Sequence, residues 1–202
     1  MDMDTLKAEC LACTRCELCA TRTNVVFGQG VPDAEVLFVG EGPGQSEDEQ
    51  GLPFVGRSGQ LLDKYLFAID LDRSKNCYIA NIVKCRPPQN RDPLPAESEA
   101  CMPWLREQFR LLQPKIVVCL GRIAAQRMIR QDFSVTREHG RSLKKAASCL
   151  WVPSTPPPCC ANLRTSPKPL RTLPCCGTPL PLCASIPIIN KDRNQPRHFC
   201  IL

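Results

Sequence analysis

The chain has 202 residues and a formal net charge of +6, with 43% hydrophobic and 23% charged residues. These values are typical of a globular protein and exclude a wholly disordered chain. No apolar run approaches the roughly 20 residues that a membrane span needs. The first residues, MDMDTLKAEC, lack the basic and apolar regions of a signal peptide. We therefore expect a soluble, cytoplasmic monomer with no membrane partner.

The composition changes after Arg141. Residues 1–141 hold 18 Lys and Arg against 19 Asp and Glu, a net charge of −1, whereas residues 142–202 have a net charge of +7. The second part also carries 11 of the 20 prolines and seven of the 15 cysteines, without helical or strand periodicity. We predict a domain over 1–141, incomplete at its C-terminal end, and an irregular, disordered tail over 142–202.

Apolar runs predict three strands that alternate with three helices of amphipathic spacing. In chain order these elements are 36–39, 58–69, 77–83, 96–112, 115–120 and 122–130. Ser58 is a plausible N-cap, and Pro103 either kinks the fourth element or starts a second helical segment. This alternation predicts an α/β fold with a mostly parallel sheet, whose ligands bind beyond the carboxyl ends of the strands.

Six cysteines form a local set and a distant pair. The local set is spaced three residues apart at Cys10, Cys13, Cys16 and Cys19, and the distant pair is Cys85 and Cys101. Clustered cysteines in a reducing cytosol indicate a metal or catalysis. The spacing leaves three alternatives open: free thiols, four local ligands of zinc or a cluster, and two local plus two distant ligands. Cys77 and Cys119 are expected to be core residues of strands.

The first predicted strand leads into a glycine-rich segment, GEGPGQSEDEQGLPFVGRSGQLLD (40–63). It lacks both the G-x-G-x-x-G fingerprint and a P-loop lysine, and its acids disfavour a phosphate cradle. Close backbone approach and the flat ring of Phe54 suit a planar, uncharged group such as a nucleobase, although Phe54 as core filler is the alternative. Asn81 lies in a strand, where asparagine is disfavoured, so its amide is expected to be hydrogen-bonded or to read a ligand.

Residues 10–141 resemble the family 4 uracil-DNA glycosylases, the iron–sulfur type of bacteria and archaea. The resemblance rests on motifs in the family's order: CTRC (13–16), NVVFGQGVPDAEVLFVGEGPG (24–44), ED (47–48), GLPFVGRSGQLLD (51–63), YIANIVKCRPPQNRDPLP (78–95) and a region from Ala100 to LQPKIVVCLG (112–121). It implies a three-layer α/β/α fold and hydrolysis of the N-glycosidic bond of deoxyuridine in DNA, which opens base excision repair.

The resemblance also implies roles for individual residues. A structural [4Fe–4S] cluster is expected on Cys13, Cys16, Cys85 and Cys101. Uracil-containing DNA is the expected partner, with the uracil flipped into a pocket. Glu41 and Gly42 are expected in the loop that holds the uracil, where Glu41 is the catalytic residue and positions the attacking water. Phe54 is expected to stack on the base, and Asn81 to read its polar edge and reject cytosine.

One family motif is missing. The family carries a His-Pro motif, followed by small residues and Leu-Leu-Arg, whose histidine stabilises the negative charge on the departing base. Neither His139 nor His198 is followed by proline. Read two bases out of frame, the codons around residues 154–161 permit His-Pro-small-small-Leu-Leu-Arg. We therefore expect a frameshifted translation from roughly residue 142, with a natural divergent tail as the alternative.

Two classes of function remain open on these grounds. The first is a uracil-DNA glycosylase, a DNA glycosylase of the hydrolase class, impaired in this chain by the loss of the His-Pro motif. The second is a non-catalytic iron–sulfur DNA-binding domain related to the glycosylases. The intact GEGPG segment, Phe54 and Asn81 favour the first. A zinc site in place of the cluster is a further alternative.

Overall fold

The computed structural model describes residues 1–140, 143–145 and 148–151 of the chain. All of them belong to one of the two units into which the chain divides, the unit containing Met1–Ser154. The α-helices of the described part are α1 (Met3–Leu11), α2 (Gln45–Gln50), α3 (Arg57–Ala68), α4 (Pro95–Leu112), α5 (Arg122–Met128) and α6 (Val135–Glu138). Short 3-10 segments lie at Glu17–Ala20 and Pro88–Asn90.

Six strands form one mixed sheet. They are β1 (Gln29–Gly30), β2 (Val36–Gly40), β3 (Cys77–Asn81), β4 (Ile116–Cys119), β5 (Leu143–Lys145) and β6 (Ser148–Trp151), in the spatial order β1-β3-β2-β4-β6-β5. The four central strands run parallel, and the two edge strands are antiparallel to their neighbours. The predicted mostly parallel sheet is thus confirmed.

Helices cover both faces of the sheet. On one face, Leu37 and Val39 of β2 pack in a core cluster with Trp104 and Leu105 of α4. On the other face, Phe38 of β2 packs in a second cluster that includes residues of α3. Every residue of β2 and β3 is buried, which explains why these strands are continuous apolar runs rather than alternating ones. The three-layer α/β/α architecture is therefore as predicted.

The long helix α4 runs without interruption through Pro103. It begins with Pro95 at its first turn, where a missing N–H has no consequence. Glu97 closes this end, since its carboxylate accepts a 2.7 Å hydrogen bond from the backbone N–H of Leu94. The expectation that Pro103 starts a second segment is therefore wrong. Similarly, α3 begins after Gly56 and not at Ser58, the predicted N-cap.

The sheet continues past Arg141, where the sequence predicts irregular chain. Strand β6 pairs in parallel with β4, and β5 pairs with β6. The segments LKK and SCLW are too short to show a period of their own, so pattern analysis misses them. The remaining residues of the predicted tail, 142, 146–147 and 152–202, lie outside the described residues, and so does the segment with the out-of-frame His-Pro motif.

The carboxyl ends of the parallel strands meet at one edge of the sheet. In the register of β2 and β3, Gly40 lies opposite Asn81. The chain leaves β2 into the glycine-rich loop and leaves β3 toward Cys85, so both predicted sites lie near this edge. In the described part of the chain, no helix is both long and apolar enough to cross a membrane.

Candidate base-binding cleft and cysteine site

A cleft of about 310 Å³ opens at the carboxyl edge of the sheet. Its lining includes all four residues that the resemblance assigns to a base: Glu41, Gly42, Phe54 and Asn81. The volume lies at the lower end of the range for small-molecule sites. The structure therefore brings together residues that are up to 40 positions apart in the sequence.

Asn81 ends strand β3 at the floor of the cleft. Its side chain is almost fully buried, with 1% exposure, and its Oδ1 has no hydrogen-bond partner among the described residues. A buried acceptor without a partner is rare in folded proteins and is unfavourable. Because Asn81 lines the cleft, a ligand with a donor group would satisfy this acceptor.

The ring of Phe54 and the amide of Asn81 both pack against Gly40. A Cβ atom placed on Gly40 would lie 2.5 Å from Asn81 Oδ1 and 2.5 Å from Phe54 Cζ. Any side chain at this position would therefore displace the ring or the amide. Phe54 lies in the left-handed region at φ 53°, an unusual conformation for a residue other than glycine. Phe54 is half-buried, lines the cleft and also packs against the second core cluster.

Glu47 joins the two loops that form the walls of the cleft. Its buried carboxylate accepts hydrogen bonds from the backbone N–H groups of Val55 (2.9 Å) and Gly56 (2.8 Å). It also accepts one from Gly44 (3.1 Å) at the start of α2. The sequence gives one local signal for this role, a glutamate three residues after a helix N-cap. Its contacts with Val55 and Gly56 cannot be read from spacing.

Glu41 lies in the loop directly after β2 and is half-buried. Burial raises the pKa of its carboxyl group above the ordinary value, and the nearby carboxylate of Asp92 raises it further. The guanidinium of Arg122 opposes this effect, and Arg122 also forms an ion pair with Asp92. A carboxylate whose affinity for protons is raised in a cleft has the properties of a group that positions or deprotonates water.

The second site is a hollow lined by six cysteines. It contains the four predicted cluster ligands, Cys13, Cys16, Cys85 and Cys101, and is also lined by Cys10 and Cys19. The structure thus brings the distant pair to the local set. All six are free thiols. Within the described part of the chain, no group of three His, Cys, Asp or Glu side chains is arranged to hold a metal ion.

Three N–H groups donate hydrogen bonds to sulfur atoms in this hollow. Arg22 Nη1 donates to Cys85 Sγ at 3.2 Å, the backbone N–H of Lys84 donates to Cys101 Sγ at 3.2 Å, and Trp104 Nε1 donates to Cys13 Sγ at 3.3 Å. Such donors stabilise thiolates and tune iron–sulfur clusters. The chemistry of these sulfur atoms and their N–H donors is compatible with an iron–sulfur cluster.

Burial raises the pKa values of three of the four predicted ligands above the ordinary thiol value. It raises the pKa of Cys101 to about 11, although the backbone N–H of Lys84 and its ammonium group lower it in part. Burial likewise raises the pKa values of Cys16 and Cys85. Since iron and zinc bind the thiolate form, metal binding here releases protons and is favoured by rising pH.

Two sets of contacts join the cysteine hollow to the cleft. The buried ammonium of Lys84 donates to the backbone carbonyl of Asn81 at 3.0 Å and to Gln108 Oε1 at 2.6 Å. On α2, the buried carboxylate of Asp48 accepts hydrogen bonds from the backbone N–H groups of Thr23 and Asn24. These residues follow Arg22, which holds Cys85. The sequence motifs do not show these links, because they depend on long-range contacts.

We predict that Glu47→Gln destabilises the fold by about 1–3 kcal/mol, because the amide presents one acceptor where the carboxylate presents two and leaves buried N–H groups unpaired. Urea unfolding measures this change. Glu49→Gln on the exposed side of the same helix is the matched control, and we expect a change within about 0.5 kcal/mol. Equal stability of Glu47→Gln and the control would show that the carboxylate does not hold the loops.

The chain is similar to known glycosylases over most of its length. Residues 27–172 match the family model described as the uracil DNA glycosylase superfamily. This match extends past Arg141, where the sequence-based resemblance ends. The chain is 48% identical over 124 residues to the type-4 uracil-DNA glycosylase of Archaeoglobus fulgidus, covering 61% of this chain and 62% of that protein.

Two further relatives have the same description. The chain is 43% identical over 145 residues to the type-4 uracil-DNA glycosylase of Sulfurisphaera tokodaii, covering 69% of this chain and 66% of that protein. It is 44% identical over 132 residues to that of Thermotoga maritima, covering 65% and 68%. The chain thus spans slightly less than two thirds of the first two relatives. The resemblance to family 4 is confirmed, and the chain belongs to the uracil DNA glycosylase superfamily.

Proposed function

We propose that this protein is a uracil-DNA glycosylase, which hydrolyses the N-glycosidic bond of deoxyuridine in DNA and starts base excision repair. The observation that carries the proposal is the unpartnered, buried Oδ1 of Asn81 in a cleft that also contains Phe54. The membership of the superfamily and the type-4 relatives support it. The cleft accepts a base only after the nucleotide has left the stack.

The acceptor on Asn81 accounts for the choice of base. Uracil presents an N3–H donor, which pairs with Oδ1, and its O4 accepts from the Nδ2 of the same amide. Cytosine presents an unprotonated N3 and an amino group, so both contacts would be repulsive. The ring of Phe54, fixed beside the amide, provides a flat surface for stacking the base.

Hydrolysis requires a water molecule at the anomeric carbon and a leaving base that carries negative charge. We assign Glu41 to hold and orient the water and to take up its proton, and Gly42 to let the backbone approach the base. The bond from carbon to N1 of uracil breaks as the bond from carbon to the water oxygen forms, and the electron pair leaves with the base. Hydrogen-bond donors at O2 of the base would stabilise its developing negative charge and so lower the activation barrier of hydrolysis.

The family's donor at O2 is the histidine of its His-Pro motif. His139 is exposed and is absent from the lining of the cleft, so we do not assign it this role, and His198 lies outside the described residues. We propose that the chain as written is impaired by a frameshift and that the product of the shifted frame is fully active. An intact gene that encodes STPPPCC, with no insertion or deletion against close relatives, would contradict the frameshift.

We further propose that Cys13, Cys16, Cys85 and Cys101 hold a [4Fe–4S] cluster. When bound, the cluster would supply a rigid cross-link between the N-terminal segment, the loop after β3 and helix α4, which begins near the cleft. The N–H groups of Arg22, Lys84 and Trp104, which donate hydrogen bonds to cysteine sulfur atoms, would stabilise the ligands of the cluster.

Incubation with uracil-containing single-stranded DNA tests the function. We expect the chain as written to release uracil weakly, and the shifted-frame chain to do so much faster. In the shifted-frame chain, Asn81→Ala should lower the rate by about 100-fold or more, because an oriented hydrogen-bonding group of an active site is lost. Gln131→Ala, which removes an exposed amide in the turn after α5, is the control. No abasic sites from the shifted-frame chain would favour a non-catalytic DNA-binding domain.

The pH profile tests the role of Glu41. Its raised pKa means that the ionised form, which holds the water, is lost at a higher pH than for an ordinary carboxyl group. Cleavage should therefore decline as the pH falls through this raised value. Asp92→Asn removes a neighbouring negative charge and frees Arg122, so the acidic limb of kcat/KM should move to lower pH. Glu107→Gln, at an exposed ion pair on α4, is the control and should leave the acidic limb in place. An acidic limb that does not move in Asp92→Asn would contradict the role assigned to Glu41.

Iron analysis tests the cluster. We expect about four irons per chain and a brown colour, both lost in Cys13→Ala and in Cys101→Ala. Cys10→Ala and Cys19→Ala should keep both, which separates the mixed ligand set from a purely local one. The core thiols Cys77 and Cys119, both at 0% exposure, provide further controls. A colourless protein with bound zinc would contradict the proposal.

A further inference from the structure

The backbone of Phe54 needs an external restraint. Its φ of 53° lies in the left-handed region, which a bulky aromatic residue adopts only when the surroundings impose it. Glu47 accepts hydrogen bonds from the N–H groups of Val55 and Gly56, so it holds the peptide that follows Phe54, but none of its hydrogen bonds reaches the peptide that precedes Phe54. Another group must fix that preceding peptide, whose carbonyl belongs to Pro53.

Arg73 is that group. Its Nη1 donates to the carbonyl of Pro53 at 2.7 Å, and its Nη2 donates to the carbonyl of Phe54 at 3.0 Å. The guanidinium therefore spans two consecutive carbonyls. Arg73 lies between α3 and β3 and is distant from Phe54 in sequence, and its side chain is only 13% exposed. It is absent from the residues that line the cleft, so it acts on the base only through Phe54.

Two rigid elements hold the guanidinium in turn. Its Nε and Nη2 donate to Asp63 Oδ1 of α3, at 3.1 and 2.6 Å, and its Nη1 donates to Gln29 Oε1 of β1 at 3.1 Å. A planar guanidinium makes all these contacts together, which the single ammonium of lysine cannot. The position of Phe54 is thereby tied to a helix and to the edge of the sheet.

Helix α3 packs directly against the peptide group that carries the Phe54 carbonyl. A Cβ atom on Gly59 would lie 1.9 Å from the carbonyl oxygen of Phe54, so the helix backbone lies directly against this peptide. The carbonyl is held between Gly59 and the guanidinium. Since the ring of Phe54 also packs on Gly40, a shift of its backbone moves the ring relative to Asn81.

We propose that Arg73 is a positioning residue of the base-binding cleft, which holds Phe54 in its left-handed conformation and so sets the affinity for the flipped base. This inference rests on the proposed function for the identity of the base. The restraint of the loop is independent of it. Arg73 touches neither the base nor the water, and its effect should therefore differ from that of Glu41 or Asn81.

Amide hydrogen exchange of the full chain tests the restraint without any substrate. In Arg73→Gln and in Arg73→Lys, the amides of Val55 and Gly56 should lose protection by about tenfold or more, while those of the buried strand β2 keep theirs. Lys75→Ala, which removes an exposed charge from the same turn, should change neither. If Arg73→Gln fails to fold, Arg73→Lys and Asp63→Asn serve in its place. Unchanged protection in a folded variant would overturn the proposal.

Binding of free uracil tests the consequence for the cleft. We expect the dissociation constant of uracil to rise by about tenfold in Arg73→Lys, whereas affinity for uracil-free single-stranded DNA stays the same. A merely structural role would weaken both together or neither. Loss of protection with unchanged uracil affinity would overturn the link to Phe54. If the unaltered chain binds no uracil while protection still falls in the variants, the proposed function fails and the restraint of the loop stands.

Discussion

The cleft depends on the absence of a side chain at Gly40. This residue ends the central strand β2, opposite Asn81 in β3, and both the amide of Asn81 and the ring of Phe54 occupy the space that a Cβ atom would take. The parallel register brings these residues to the carboxyl edge of the sheet, as is general for ligand sites in such folds. The proposed base site therefore lies where a buried strand ends in glycine.

The surroundings of the cleft make it rigid. Ionic groups hold each wall: Glu47 joins the loops on either side of α2, and Arg73 donates to the carbonyls of the peptides before and after Phe54. Lys84 holds the carbonyl of Asn81, and its own backbone N–H contacts Cys101. A group bound among the cysteines would thus be mechanically coupled to the Asn81 amide, which we propose reads the base. Rigid placement matters because displacements of about 1 Å can lower rates by about 100-fold.

The sequence predicts the central architecture well, because β2 and β3 are fully buried apolar runs and α3 and α4 have clear helical periodicity. It also predicts four of the residues that line the cleft, Glu41, Gly42, Phe54 and Asn81, through motifs rather than through periodicity. It misses α2, a polar helix of six residues that is stabilised by its caps and by tertiary contacts. It also misses Glu47 and Arg73 as structural links, since each acts on backbone groups that are distant in sequence. Strands β5 and β6 were too short to show a pattern.

The most direct test of the account is a comparison of three free bases in one binding experiment. Titration of the protein with uracil, 3-methyluracil and cytosine isolates the donor that Asn81 Oδ1 requires, because 3-methyluracil differs from uracil at N3 alone. We predict that uracil binds and that the other two bind at least about tenfold more weakly, since a buried acceptor left unpaired is unfavourable by more than 1 kcal/mol. Equal affinity for uracil and 3-methyluracil would contradict the central claim.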